Sequence, residues 1–119
     1  GPQRISPLAD TSGRIPIQPG MLTSNEPGYY QNGHFGIRTE NLMICVESEH
    51  SQAETPFYAF ETLTLFPIDQ RLIDFSLLET AEIDWLNHYH QQVYQGLSSQ
   101  LNEAERHWLA QKCQVIEKN

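Results

Sequence analysis

Apolar and polar positions change their period once along this chain of 119 residues. In the first half the apolar residues fall in short runs separated by turn signals. An extended run from Met21 to Glu26 lies between Pro19-Gly20 and Pro27-Gly28, and both dipeptides favour turns. Asn32-Gly33 then predicts a tight hairpin turn, because both residues tolerate positive φ, and a long strand is expected from Phe35 to Val46. A polar loop from Glu47 to Pro56 separates it from the aromatic and β-branched run Phe57 to Phe66, which reads as another strand. From about Thr80 the period becomes helical. Leu86, Tyr89, Val93 and Leu97 recur at spacings of three and four, with Ile83 and Trp85 widening the face. Asn102 followed by Glu105 resembles a capping box, and opens a second helix that carries Ala104, Trp108 and Leu109 on its packing side and ends near Cys113.

The pattern predicts an α+β fold: a loop over 1–14, an antiparallel sheet over 15–68, and two C-terminal helices within 79–113. No internal repeat, low-complexity tract or second domain boundary interrupts it. The chain is expected to be one piece of a single domain. It opens on Gly1-Pro2 without an initiating Met and with nothing resembling a signal peptide, which suggests a fragment or a processed product.

Composition narrows the functional classes. An apolar content of 39% suits a globular protein with a modest core. Runs such as Leu42 to Val46 and Leu63 to Pro67 are far shorter than the roughly 20 residues that span a bilayer, so no membrane partner is expected. Seven basic against fifteen acidic residues give a formal charge of -8. No run of Lys or Arg forms a phosphate-neutralising patch, which argues against nucleic acid. Cys45 and Cys113 lie far apart, one in an expected strand and one near a helix end, as reduced thiols of a cytosolic protein would.

The hairpin holds the chemistry. Opposed residues of a hairpin have numbers that sum to a constant, and a turn centred on Asn32-Gly33 sets it at 65. Glu26 and Glu40 sum to 66, within one residue of directly opposite, and a bulge at Pro27-Gly28 would supply the difference. Two ionised carboxylates that close repel unless something positive sits between them. Alternation places Arg38 and Glu40 with Leu42, Ile44 and Val46 on one face. This suggests that Arg38 pairs with an acid and Glu40 meets a cation; hard divalent ions such as Mn²⁺ take carboxylate oxygens readily. A solvated cross-strand ion pair on an exposed face explains the same spacing.

Other candidates carry less. His34, His50, His88, His90 and His107 show no ligand spacing matched to the carboxylates and are expected at the surface or on helices, with His34, next to the turn, the one exception. Glu61 shares a strand face with Phe57, Ala59, Leu63 and Leu65, and is expected to be a buried, hydrogen-bonded acid. Trp85, Tyr89 and Trp108 are expected in the core. Ser24 and Cys45 have no base nearby in the pattern, which leaves nucleophilic catalysis unsupported.

The stretch Gln18 to Glu40 combines Pro-Gly-Met, Asn-Glu-Pro-Gly-Tyr-Tyr and Phe-Gly-Ile-Arg-Thr-Glu-Asn. Further on come Phe-Glu-Thr-Leu-Thr-Leu-Phe-Pro-Ile and Asp-Trp-Leu-Asn-His-Tyr-His. In this order and spacing they resemble the aminopeptidase P family of pita-bread metallopeptidases over nearly the whole chain. The resemblance implies the C-terminal portion of a pita-bread catalytic domain, from the cytosolic, eukaryotic-like branch. It also implies a dinuclear site held by two Asp, one His and two Glu. Glu26 matches the first family glutamate, a ligand of one metal and general base, and Glu40 matches the second, which bridges both. Arg38 and Tyr30 match residues that hydrogen-bond around a metal-bound aspartate. The remaining three ligands, and a histidine that contacts substrate, are expected upstream of Gly1.

For the intact protein the resemblance implies an Xaa-Pro aminopeptidase that releases the residue before a second-position proline by a metal-bridged hydroxide. Manganese is the first expected metal, with zinc or cobalt as alternatives, and the intact enzyme is expected to be cytoplasmic and a homo-oligomer. The rival readings are a non-catalytic pita-bread module that binds peptides or proteins, and a prolidase-type dipeptidase. The chain by itself is expected to bind metal weakly and to be inactive. Its sheet face is expected to be exposed where the rest of the domain would cover it.

Overall fold

The structure, a computed structural model, describes residues 16–117; the loop expected over 1–14 lies outside the described residues. The chain divides between Thr64 and Leu65 into two compact units.

The first unit is built of five short antiparallel strands, β1 (Leu22–Asn25), β2 (Gly28–Gln31), β3 (Phe35–Arg38), β4 (Asn41–Glu47) and β5 (Tyr58–Thr62). Strands β1, β4 and β5 form one sheet with β4 in the middle, and β2 and β3 pair with each other. The β1–β4 ladder sets Leu22 opposite Ile44 and Asn25 opposite Asn41. The β2–β3 ladder sets Gly28 opposite Arg38 and Gln31 opposite Phe35. Both ladders keep one register, with paired numbers summing to 66 rather than the expected 65.

The reason is the turn. Asn32, Gly33 and His34 form a three-residue loop in which the His34 N–H donates to the Gln31 carbonyl at 3.0 Å. Gly33 supplies the positive φ of 74° that such a loop favours. The extra residue shifts the pairing by one, and no bulge at Pro27-Gly28 is needed. The single strand expected from Phe35 to Val46 is instead broken at Thr39-Glu40, opposite Glu26-Pro27. Pro27 has no N–H to give to a ladder, although its carbonyl accepts from the Thr39 N–H at 3.2 Å.

On β4 the buried residues are Asn41 and Cys45, which share one face, while Leu42 on the other remains 52% exposed. Beyond β5 the pairing with β4 continues through the Leu63 N–H to the Leu42 carbonyl and the Leu42 N–H to Thr64 Oγ1, each at 2.8 Å. Glu61, paired with Ile44, is exposed rather than buried. Strand β5 is exposed along its length apart from half-buried Thr62, so its neighbours there do not enclose the carboxylate.

The second unit opens with two short 3-10 turns, Gln70–Leu72 and Phe75–Leu77, that the hydrophobic pattern does not reveal. Asp69 and Asp74 cap them, each carboxylate accepting a backbone N–H two residues on at 3.0 Å. Helix α1 follows at Thr80–Leu97 and helix α2 at Glu103–Lys112. The capping box at α2 is reciprocal: Asn102 Oδ1 accepts from the Glu105 N–H, and the Glu105 carboxylate from the Asn102 N–H, both at 3.0 Å. Tyr89 and Val93 of α1 pack with Leu109 of α2. Ile83 and Leu86 pack with Ile116, which the Asn87 side chain ties to α1 by bonds to its N–H and carbonyl at 2.8 and 3.0 Å.

Two expectations for this unit change. Trp85 and Trp108 are about half exposed, at 52% and 45%; Trp85 stacks on buried Tyr89, and Trp108 leans on Phe66. Their spacing places them at the margin of the buried stripe, where a large ring covers apolar surface without being enclosed. His90, expected at the surface or on a helix, lies on α1 and is fully buried, with Nε2 accepting the Ile68 N–H at 3.1 Å. Among the described residues no helix is long and apolar enough to cross a membrane.

Candidate metal centre

The break between the two ladders is where the charged side chains gather. Glu26 and Glu40 fall in the register that both flanking ladders keep, and so face each other across the ribbon. Arg38, one strand period from Glu40, shares that face. Its Nη1 lies 3.1 Å from a Glu26 carboxylate oxygen and 4.0 Å from one of Glu40. The guanidinium is thus the positive charge between two acids that electrostatics demands.

A second contact aims that guanidinium. Arg38 Nε donates to the Tyr30 hydroxyl at 2.8 Å, and its guanidinium carbon lies 5.8 Å from the centre of the same ring. Tyr30 can lie flat across the ribbon because the residues beneath it are Gly28 and Gly36. A Cβ on Gly28 would stand 2.5 Å from the Tyr30 hydroxyl oxygen, and one on Gly36 would stand 2.6 Å from its ring. The bond to Tyr30, and then the charges of Glu26 and Glu40, hold Arg38 above its ordinary pKa, so it acts as a fixed positive charge.

Ser24 belongs to the same cluster. Its hydroxyl donates to Glu26 Oε1 at 2.6 Å, leaving Oε2 to meet Arg38. Pattern reading discounts this serine because it looks for a base that would activate a nucleophile; the alternation that places residues 24 and 26 on one face was the available signal.

The donor set suits a hard divalent cation in kind, since both carboxylates offer oxygen ligands on one half-exposed face. It is incomplete in number. Among the described residues no three His, Cys, Asp or Glu side chains gather as a metal site. His34 lies in the turn at the far end of the β2–β3 ladder, and His50 lies beside Glu49 at 3.7 Å in the loop after β4. Cys45 and Cys113 are both free thiols.

Residues 56–116 match the model for the C-terminal region of peptidase M24. The chain belongs to the peptidase M24 family. Among curated relatives, the probable Xaa-Pro aminopeptidase P of Arthroderma gypseum is 42% identical over 98% of this chain and 19% of its own length. That of Tuber melanosporum is 46% identical over 68% of this chain and 13% of its own. Among solved structures, the X-prolyl aminopeptidase of Caenorhabditis elegans, a cytosolic enzyme with a di-nuclear active site, superposes with a TM-score of 0.74. It is 35% identical, with 84% of this chain and 17% of that one covered. The α+β architecture of antiparallel sheets followed by two helices is that of this peptidase's C-terminal part. The chain spans about a fifth of the length of the curated relatives it matches.

Proposed function

We propose that this chain forms part of the catalytic domain of an Xaa-Pro aminopeptidase and contributes Glu26 and Glu40 to a site for two divalent metal ions. The observation that carries the reading is the placement of these two carboxylates opposite each other, with Arg38 within ionic reach of both. An isolated ion pair at this level of exposure contributes about 0–1 kcal/mol, which does little to offset fixing five side chains in one network. A cation-binding role accounts for the network better than stability does.

Bound there, two divalent ions would activate water and polarise the scissile carbonyl. The chain's own residues do the rest. Glu26 is positioned to ligate and to take a proton from the attacking water, and Glu40 to ligate from the opposite strand. Arg38, aimed by Tyr30, balances the acids and orients their neighbours. The remaining ligands come from outside the described residues. The substrate in this reading is a peptide with proline in second place, and manganese is the first metal to test. A cytoplasmic homo-oligomer is the matching expectation for the whole enzyme, supported as to location by the cytosolic nematode structure. Retention of Glu26, Arg38 and Glu40 together disfavours a binding module that has lost its metals.

The test uses the full-length polypeptide loaded with Mn²⁺. Release of the N-terminal residue from an Xaa-Pro tripeptide is expected, and Glu26→Gln should lower kcat by about 10²–10⁴-fold. Glu40→Gln should reduce the bound metal measured by elemental analysis. Full activity in both variants would overturn the assignment. Cleavage confined to Xaa-Pro dipeptides would favour the prolidase-type alternative. Isothermal titration of Mn²⁺ into the 119-residue chain should show weak binding or none, and tight binding of two ions would mean that this chain holds a whole site.

A further inference from the structure

We infer that Ser24 is a positioning residue for Glu26, an inference that rests on the proposed reading of Glu26 as a metal ligand and base. Glu26 lies in the gap between β1 and β2, next to Pro27, whose carbonyl accepts from the Thr39 N–H but which has no N–H of its own to donate. A free glutamate there samples many rotamers, and fixing a long polar side chain costs conformational entropy. Ser24 stands on firmer ground, since β1 pairs it with Leu42 of β4. One strand period separates it from Glu26, so its hydroxyl projects from the same face.

The 2.6 Å contact from Ser24 Oγ to Glu26 Oε1 is in the range of a charge-assisted O–H to carboxylate bond. A serine hydroxyl has a single hydrogen to donate, so this bond commits it. Arg38 holds the other oxygen at 3.1 Å. The two donors come from opposite strands, and together they fix the plane of the carboxylate. With Ser24 on Oε1 and Arg38 on Oε2, rotation of the carboxylate about its last carbon–carbon bond is restrained. The orienting contact is thus encoded two residues before the glutamate and does not depend on any group outside this ribbon.

The experiment compares Ser24→Ala, Ser24→Thr and Glu26→Gln in the full-length enzyme, reading kcat and KM on an Xaa-Pro tripeptide and Mn²⁺ affinity by isothermal titration. Ser24→Ala is expected to weaken Mn²⁺ binding or lower kcat by about 10-fold or more, as loss of an outer hydrogen bond to a ligand typically does. KM and the thermal midpoint should move little, and Ser24→Thr, which keeps the hydroxyl, should restore both metal affinity and kcat. If Ser24→Ala matches the unsubstituted enzyme while Glu26→Gln is inactive, the positioning role fails and the site assignment stands. If Ser24→Thr is as impaired as Ser24→Ala, the hydroxyl is not the operative group and the inference is overturned. If Glu26→Gln retains full activity and metal, the site reading itself is wrong and takes this inference with it.

Discussion

The two units of this chain divide labour between chemistry and packing. The strand unit carries the whole charged cluster, yet its buried described residues are only Asn41 and Cys45. Leu22, Tyr29, Phe35 and Leu42 stay more than half exposed. The helical unit encloses Ile83, Leu86, Tyr89, Val93, Leu109 and Ile116. The sheet therefore holds its geometry through ladder bonds and register, which a functional ribbon needs, while the helices hold theirs through apolar burial. Substitutions should separate the two mechanisms.

The largest effect is expected at Leu109, which is 2% exposed and packs with Tyr89 and Val93. Leu109→Ala should cost about 2–5 kcal/mol in urea denaturation, through lost transfer energy and the cavity left behind. A cost near zero would mean that the helical unit does not depend on this core.

His90 gives the same unit a pH dependence of its own. Burial holds its pKa below the free value of 6.5, and protonation of Nε2 would oppose the Ile68 N–H that it accepts. The sign follows from a depressed histidine: the folded state takes up its proton less readily than the unfolded state. Stability is then fully present above about pH 6.5 and falls as the pH drops from there toward the lower folded-state value. Thermal melts from pH 8 to 5 should show this decline, and His90→Gln should flatten it. A melt profile unchanged by the substitution would remove His90 from the account.

Much of this division can be read from the residues themselves. The period of α1 and the Asn102–Glu105 box place both helices closely, because helix signals are local. The facing of Glu26 and Glu40 follows from the turn, and the one-residue error in register arises because His34 joins Asn32-Gly33 in the loop. The break at Thr39-Glu40 is harder to foresee, since the residues there alternate like the rest of the strand and the interruption comes from Pro27 opposite. Periodicity marks a stripe without ranking its margins, so it overstates the burial of Trp85 and Trp108. His90 lies at helical spacing from Leu86 and Val93, and could have been placed on the stripe by the same rule. The hydroxyl of Ser24 has no signature of its own until the face it shares with Glu26 is taken into account.

A smaller effect is expected at the start of α2. Asn102→Ala removes the acceptor of the Glu105 N–H and should cost about 0.5–2 kcal/mol. Asn102→Asp should retain most of the stability, because the carboxylate can accept the same bond and suits a helix N-terminus. Equal losses in both variants would show that the cap bond is not what the asparagine contributes.

The smallest effect, and the sharpest test of the contrast, is at Leu42. At 52% exposure its side chain gives up little water contact in the 119-residue chain, so Leu42→Ala there should cost less than about 1 kcal/mol, against the 2–5 kcal/mol expected of an enclosed leucine. Leu42 shares its strand face with Glu40, and in the proposed enzyme that face looks toward the rest of the metal site. The same substitution in the full-length polypeptide should therefore cost more than in the short chain. Denaturation curves of the four proteins provide the comparison. Equal small costs in both backgrounds would mean that this face stays open to solvent, and would count against a site completed on that side of the ribbon.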